Sequence, residues 1–155
     1  MTQYGIDAAI GLDLGGTAMK AGLVDRHGAV LFTHTTPTEA DGGADHVIGR
    51  MATLISRLAD EAKAASCKVA GVGIGAPGTL SRKDGMVISP PNLPGWHNVP
   101  VVRLISQATG LPTLLENDAN NAALGEFHRG AGRGCSHMIM LTLGTGIGGG
   151  IIFGG

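Results

Sequence analysis

Three short segments gather groups that could act on an anion or move a proton. In Asp13-Leu14-Gly15-Gly16-Thr17, adjacent glycines free backbone N–H groups to converge on an anion, and Thr17 adds a hydroxyl donor. Asp13 beside them can hold Mg²⁺ through water. The same residues would equally serve as a plain glycine hairpin turn flanked by an aspartate. Gly144-Thr145-Gly146-Ile147-Gly148-Gly149-Gly150 carries five glycines in seven residues, more than a hairpin needs, and reads as a place where phosphate approaches the backbone. Glu116-Asn117-Asp118-Ala119-Asn120-Asn121 has the composition of a strand end running into a helix start. Asn117 or Asp118 can simply cap that helix. Alternatively, Asp118 is a carboxylate at the mouth of a ligand crevice, able to take a proton from a hydroxyl, with the helix dipole favouring its ionised form.

Other segments say less. Asn92-Leu93-Pro94-Gly95-Trp96 is a stiff loop whose amide and backbone groups suit a polar ligand such as a sugar, or whose Trp96 merely anchors a proline-rich excursion. GxGxxG occurs at 73–78 and 144–149, but neither copy opens a helix as a dinucleotide fingerprint must. No glycine precedes the Lys-Ser/Thr pair of a Walker loop, and the six histidines show no metal-ligand spacing. Cys67 and Cys135 stand far apart and read as two small buried thiols in a reducing cytoplasm.

The elements that must position these groups follow from periodicity. Ala8–Leu14 is a short apolar run and predicts a buried strand. Met19, Ala21 and Leu23 alternate with Ala18, Lys20 and Gly22 as a second strand, and 29–35 makes a third, so an antiparallel meander is expected. Between 44 and 66, Val47, Ile48, Met51, Leu54, Ile55, Leu58 and Ala62 recur at three- and four-residue steps, the mark of an amphipathic helix. A strand over 68–74 follows. Residues 75–99 read as loop with a short strand at 86–88. A helix over 101–109 then lies between Pro100 and Gly110, before a strand over 111–115 and a helix over 117–128. A strand over 138–143, a turn over 144–150 and a strand from Ile151 close the chain. The order is βββαβαβα followed by ββ, an α/β layer unit with a final hairpin that is marginal on its own.

Composition excludes whole classes of function. With 155 residues the chain can bury about 70% of its unfolded surface, and at 43% hydrophobic it is not a disordered segment. A net charge of −1 and five aromatic residues supply neither the field nor the stacking faces that nucleic acid or an anionic membrane would need. No apolar run approaches the ~18 residues of a membrane span, and no signal peptide is visible, so a cytoplasmic protein is expected. Glycine is the anomaly: 27 residues, roughly 17%, against a usual ~7%.

Five segments, taken in order, resemble the ROK family of repressors, unassigned reading frames and sugar kinases, with bacterial glucokinases the nearest in pattern. They are Ile10-Gly11-Leu12-Asp13-Leu14-Gly15-Gly16-Thr17, Gly73-Ile74-Gly75-Ala76-Pro77-Gly78, Asn92-Leu93-Pro94-Gly95-Trp96, Glu116-Asn117-Asp118-Ala119-Asn120 and Gly144-Thr145-Gly146-Ile147-Gly148-Gly149-Gly150. The resemblance implies an α/β, actin-like ATPase (ribonuclease H-like) fold. Residues 1–130 would form the N-terminal domain, and 131–155 the first hairpin of a truncated second domain. It also implies ATP- and Mg²⁺-dependent phosphorylation of a hexose, glucose to glucose 6-phosphate, by the complete protein.

By position, Asp118 matches the catalytic base and, with Asn117, Gly78 and Asn92, the hexose-binding positions. Asp13, Gly15, Gly16 and Thr17 match the first phosphate loop, with Asp13 toward the metal. Gly144, Thr145, Gly146, Gly148 and Gly149 match the second. Family kinases run to about twice this length. Their downstream Glu-x-Gly-His segment, Cys-rich zinc segment and adenosine pocket have no counterpart here, which implies an N-terminal part that is inactive alone. The alternatives are a ROK-type transcriptional regulator and a non-catalytic sugar-binding remnant. A regulator of this family would carry a DNA-binding domain ahead of Asp13. The apolar side chains of 136–153 imply a homo-oligomer or another association through that hairpin.

Overall fold

The computed structural model describes residues 6–143 and 146–155. Strands β1 (Ile6–Leu14), β2 (Ala18–Asp25) and β3 (Val30–Pro37) form the expected antiparallel meander. Helix α1 (Gly43–Ala64) leads to β4 (Cys67–Ala76), which lies parallel to β1. After an excursion come α2 (Val101–Thr109) and β7 (Thr113–Asn117), parallel to β4, so one mixed sheet has the order β3-β2-β1-β4-β7.

One face of this sheet carries the core. Ala8, Ile10, Leu12 and Leu14 alternate into it from β1, and Met19, Ala21 and Leu23 from β2. All seven apolar positions anticipated in α1 are buried against them, and α2 adds Val101 and Ile105. Gly110, in the left-handed region at φ 71, ends α2 where any other residue would be strained.

Two stretches depart from the sequence expectation. Within 75–99 a hairpin forms, β5 (Thr79–Ser81) with β6 (Met86–Ser89), where only 86–88 was expected as strand. Three residues are too few to show a period. The local signal is Asp84-Gly85, with Gly85 at φ 65 reversing the chain. At the other end, β8 (His137–Leu143) pairs with β9 (Ile147–Phe153), so Ile147 to Gly150 are strand rather than turn. Between β7 and β8 lies α3 (Asp118–Arg129), one residue later than expected because Asn117 is its cap. The two-stranded β8–β9 sheet packs on α3. No described helix is long and apolar enough to cross a membrane.

Candidate active site

The parallel strands end side by side: Asp13 pairs with Gly75, Gly75 with Glu116, and Ala76 with Asn117. Open parallel sheets receive ligands at these strand ends. A crevice of about 620 Å³ lies there. It is lined by Gly11, Asp13, Gly73 and Gly75 of the sheet, by Asp118 and Asn121 of α3, and by Thr142 of β8. The floor is open because Gly11 and Gly73, partners across β1 and β4, lack side chains, and a Cβ at either would meet nothing within 4 Å. Gly75 has a different reason: a Cβ there would lie 3.1 Å from Asn121 Nδ2, so glycine lets the first turn of α3 settle over the end of β4.

Capping falls to Asn117, which leaves Asp118 exposed at the crevice. Asn117 Oδ1 accepts the amides of Ala119 (3.0 Å) and Asn120 (3.3 Å). Among the described residues Asp118 Oδ1 accepts the Ala119 amide alone, at 2.8 Å, and its side chain lines the crevice. Asp13 faces the same space. Partial desolvation first, and the charge of Asp118 second, push the Asp13 carboxyl above its ordinary range, while Lys20 opposes them from the paired position on β2. Asp118 thus raises the proton affinity of Asp13 while Lys20 opposes it, and two carboxylates on one crevice give it a charge that suits a divalent cation.

The turn between β1 and β2 is held from a distance. Fully buried Thr38 donates its hydroxyl to the Gly15 carbonyl (2.6 Å) and its amide to the Thr17 carbonyl (2.9 Å). A Cβ on Gly15 would lie 2.6 Å from the Ala18 carbonyl, and one on Gly16 would lie 2.6 Å from Asn92 Cβ. Gly16 and Asn92, 76 positions apart in sequence, are therefore in contact. Thr17 and Asn92 are exposed. Gly78, at φ 79, starts the excursion that brings Asn92 there, and a Cβ on it would strike Ser89 and Pro90.

In the second glycine segment, Gly144 and Thr145 lie outside the described residues. A Cβ on Gly146 would meet nothing within 4 Å. Gly148 and Gly150 have a packing role of their own. A Cβ on Gly148 would lie 3.1 Å from Ala119 Cβ and 2.6 Å from Thr142 Oγ1, and one on Gly150 would overlap Ala123 Cβ. Strand β9 thus touches α3 backbone to backbone, through two glycines facing two alanines one helical turn apart. Gly149 faces the other way, toward the Met140 carbonyl and Leu141.

The structure thus sets Asp13 and Asp118 on one crevice and Gly16 against Asn92. It commits Asn117 to the cap and puts Gly148 in a strand. Residues that the sequence did not single out are Thr38, Thr142 and Arg82, while Glu116 and Asn121 stood in the 116–121 segment with no role of their own. Only Thr38 carried a local signal, a polar residue just after the third strand and its closing proline.

A model of the ROK family matches residues 9–155. A glucokinase of Thermotoga maritima is 46% identical over 143 residues, which is 92% of this chain and 44% of that protein. The crystal structure of a ROK family glucokinase from Streptomyces griseus in complex with glucose and AMPPNP superposes with a TM-score of 0.84 at 39% identity, covering 95% of this chain and 45% of that one. A ROK hexokinase from Thermus thermophilus superposes with a TM-score of 0.80 at 38% identity, covering 95% and 47%. The chain spans less than half the length of these relatives, and it has their fold, the actin-like ATPase fold.

Proposed function

The chain belongs to the ROK family, and from that premise we propose that it forms the hexose-binding, proton-accepting side of an ATP-dependent sugar kinase. Glucose is the preferred hexose and glucose 6-phosphate the product. The observation that carries this reading is Asp118: exposed at the strand-end crevice opposite Asp13, and relieved of capping by Asn117. The neighbouring glucokinase holds glucose and a nucleotide analogue, which supports the same two ligand classes here.

In this reading Asp118 accepts the proton of the sugar hydroxyl as its oxygen attacks phosphorus. Asn117, Asn92 and the Gly78 turn orient the sugar. Asp13 would hold Mg²⁺, and the amides of Gly15 and Gly16, with the Thr17 hydroxyl, would receive phosphate oxygens. Gly144, Thr145 and Gly146 form the second phosphate loop, with Gly146 its open position, and Gly148 and Gly149 continue it into β9, where they pack against protein and receive no phosphate. ATP, when bound, supplies the phosphoryl group, and Mg²⁺ offsets its charge. Phosphoryl transfer depends chiefly on positioning and electrostatics. The 155-residue chain carries one side of the cleft and does not turn over alone.

Residues 131–155 open the second domain, and the outward apolar side chains of β8–β9 associate with further protein, a second copy included. The protein works in the cytoplasm. In the complete protein, Asp118→Ala lowers kcat by ~10²–10⁴-fold, or ~2.7–5.5 kcal/mol of barrier, and changes sugar affinity far less. A coupled assay for sugar phosphate checks this, and unchanged turnover removes Asp118 from the mechanism.

A further inference from the structure

The junction between β7 and α3 is held by a side chain that the proposed reaction does not use. Glu116 precedes the cap, is only 21% exposed, and engages both carboxylate oxygens. Its Oε1 accepts the Asn117 amide at 2.8 Å and Asn120 Nδ2 at 3.0 Å. Its Oε2 accepts Arg82 Nη1 at 2.8 Å. In a usual capping box the third helical residue supplies a carboxylate that reaches back to the N-cap amide. Here that residue is Asn120, which donates, and the acceptor comes from the strand before the helix. The amide of the cap is thereby satisfied without drawing on Asp118.

The second oxygen reaches another part of the site. Arg82 sits at the tip of the β5–β6 hairpin, inside the excursion that starts at Gly78 and returns past Asn92 to Val99, which bridges to Val87. The tip is closed on itself by Ser81 Oγ donating to Asp84 Oδ2 at 2.6 Å. One carboxylate therefore spans the sugar-side excursion and the turn presenting Asn117 and Asp118. Desolvation works against its charge, but hydrogen bonds from Asn120 and the Asn117 amide, together with Arg82, outweigh it and hold the carboxyl below its usual range.

The geometry points to Glu116 as a positioning residue for phosphoryl transfer, with separable arms: Oε1 sets the turn that carries Asp118, and Oε2, through Arg82, sets the sugar-side excursion. This rests on reading Asp118 as the base. Removing both arms with Glu116→Ala lowers kcat of the complete protein by about 10–100-fold, the usual loss for a supporting partner. Glu116→Gln keeps an acceptor oxygen for the cap and recovers most of kcat. Arg82→Ala, which breaks one largely exposed pair, raises the hexose KM by no more than about fivefold and leaves kcat in place.

The experiment is steady-state kinetics on these three variants beside Asp118→Ala, with amide hydrogen exchange on the 155-residue chain. Exchange at Asn117, Ala119 and Asn120 speeds up in Glu116→Ala and returns in Glu116→Gln, while β1 and β2 stay unchanged. If Asp118→Ala is inactive but Glu116→Ala keeps wild-type kcat and KM, the positioning role is overturned and the kinase reading stands. If Asp118→Ala keeps full turnover, the reading of Asp118 falls, and this proposal with it. If Glu116→Ala fails to fold, Arg82→Ala decides: a loss in kcat rather than a rise in the hexose KM from that variant overturns the two-arm assignment.

Discussion

The five-stranded sheet and the β8–β9 hairpin are written in the same chemistry and end in opposite circumstances. In β1, every second residue from Ala8 to Leu14 is buried in the core that α1 covers. In the hairpin, Ile139, Leu141, Leu143, Ile147, Ile151 and Phe153 also alternate, yet they face outward, with Leu141 at 68% and Phe153 at 85% exposed. Strand alternation states that a side chain wants cover and leaves open which part of a molecule supplies it. The hairpin spends its other face on α3, where Gly148 and Gly150 meet Ala119 and Ala123.

The largest effect that sharpens this contrast comes from one truncation made twice. Leu58, fully buried in α1, loses ~2–5 kcal/mol of stability on change to Ala, read as a lowered denaturation midpoint. Leu141→Ala, the same chemical change on the outward hairpin face, stays within about 0.5 kcal/mol. Comparable losses at both sites would mean that the hairpin face is covered in solution. Next is Gly150→Val, whose Cβ would overlap Ala123. Overpacking of this kind costs ~1–3 kcal/mol, and hydrogen exchange should show the loss in β9 and α3 before the sheet.

A smaller effect on folding, though a plain one on assembly, comes from charging the outward face. Ile139→Lys with Ile151→Glu leaves the melting temperature nearly unchanged and converts any associated species to monomer in sedimentation. Oligomers that survive the double variant would place the contact elsewhere. The smallest effect concerns Asp13. Because its folded carboxyl lies above the ordinary range, the folded chain holds that proton more tightly than the unfolded one, and stability falls as pH rises through the folded value. Asp13→Asn therefore melts slightly higher than wild type at pH 7 and matches it at pH 3, where both side chains are neutral. A lower melting temperature at pH 7 would reverse the sign of this argument.

These particulars show how far the sequence could be read. The meander was legible from apolar runs and alternation, α1 from its helical period, and the parallel crossovers from strand-like runs separated by helices. Thr79–Ser81 was not, since three residues among glycines and prolines show no period. The five motifs lie in chain order, so the resemblance was visible. What joins them is not local: Thr38 bonded to Gly15, Gly16 against Asn92, Glu116 bridging Arg82 to the cap. The glycines of 144–150 were read as making room for phosphate. At Gly148 and Gly150 the room is taken by a helix, and glycine spacing alone cannot tell a ligand from a neighbouring backbone.

The β1–β4 pairing carries a consequence for time. It joins residues roughly sixty positions apart, such as Ile10 with Val72, and such closures come late and slowly. The β8–β9 hairpin closes over a turn of a few residues and needs only about 1–10 μs. Each time the chain folds, the outward apolar ribbon therefore pairs and opens repeatedly before the sheet closes. Whenever it is paired in that interval, the ribbon offers other chains an apolar face and an unpaired strand edge.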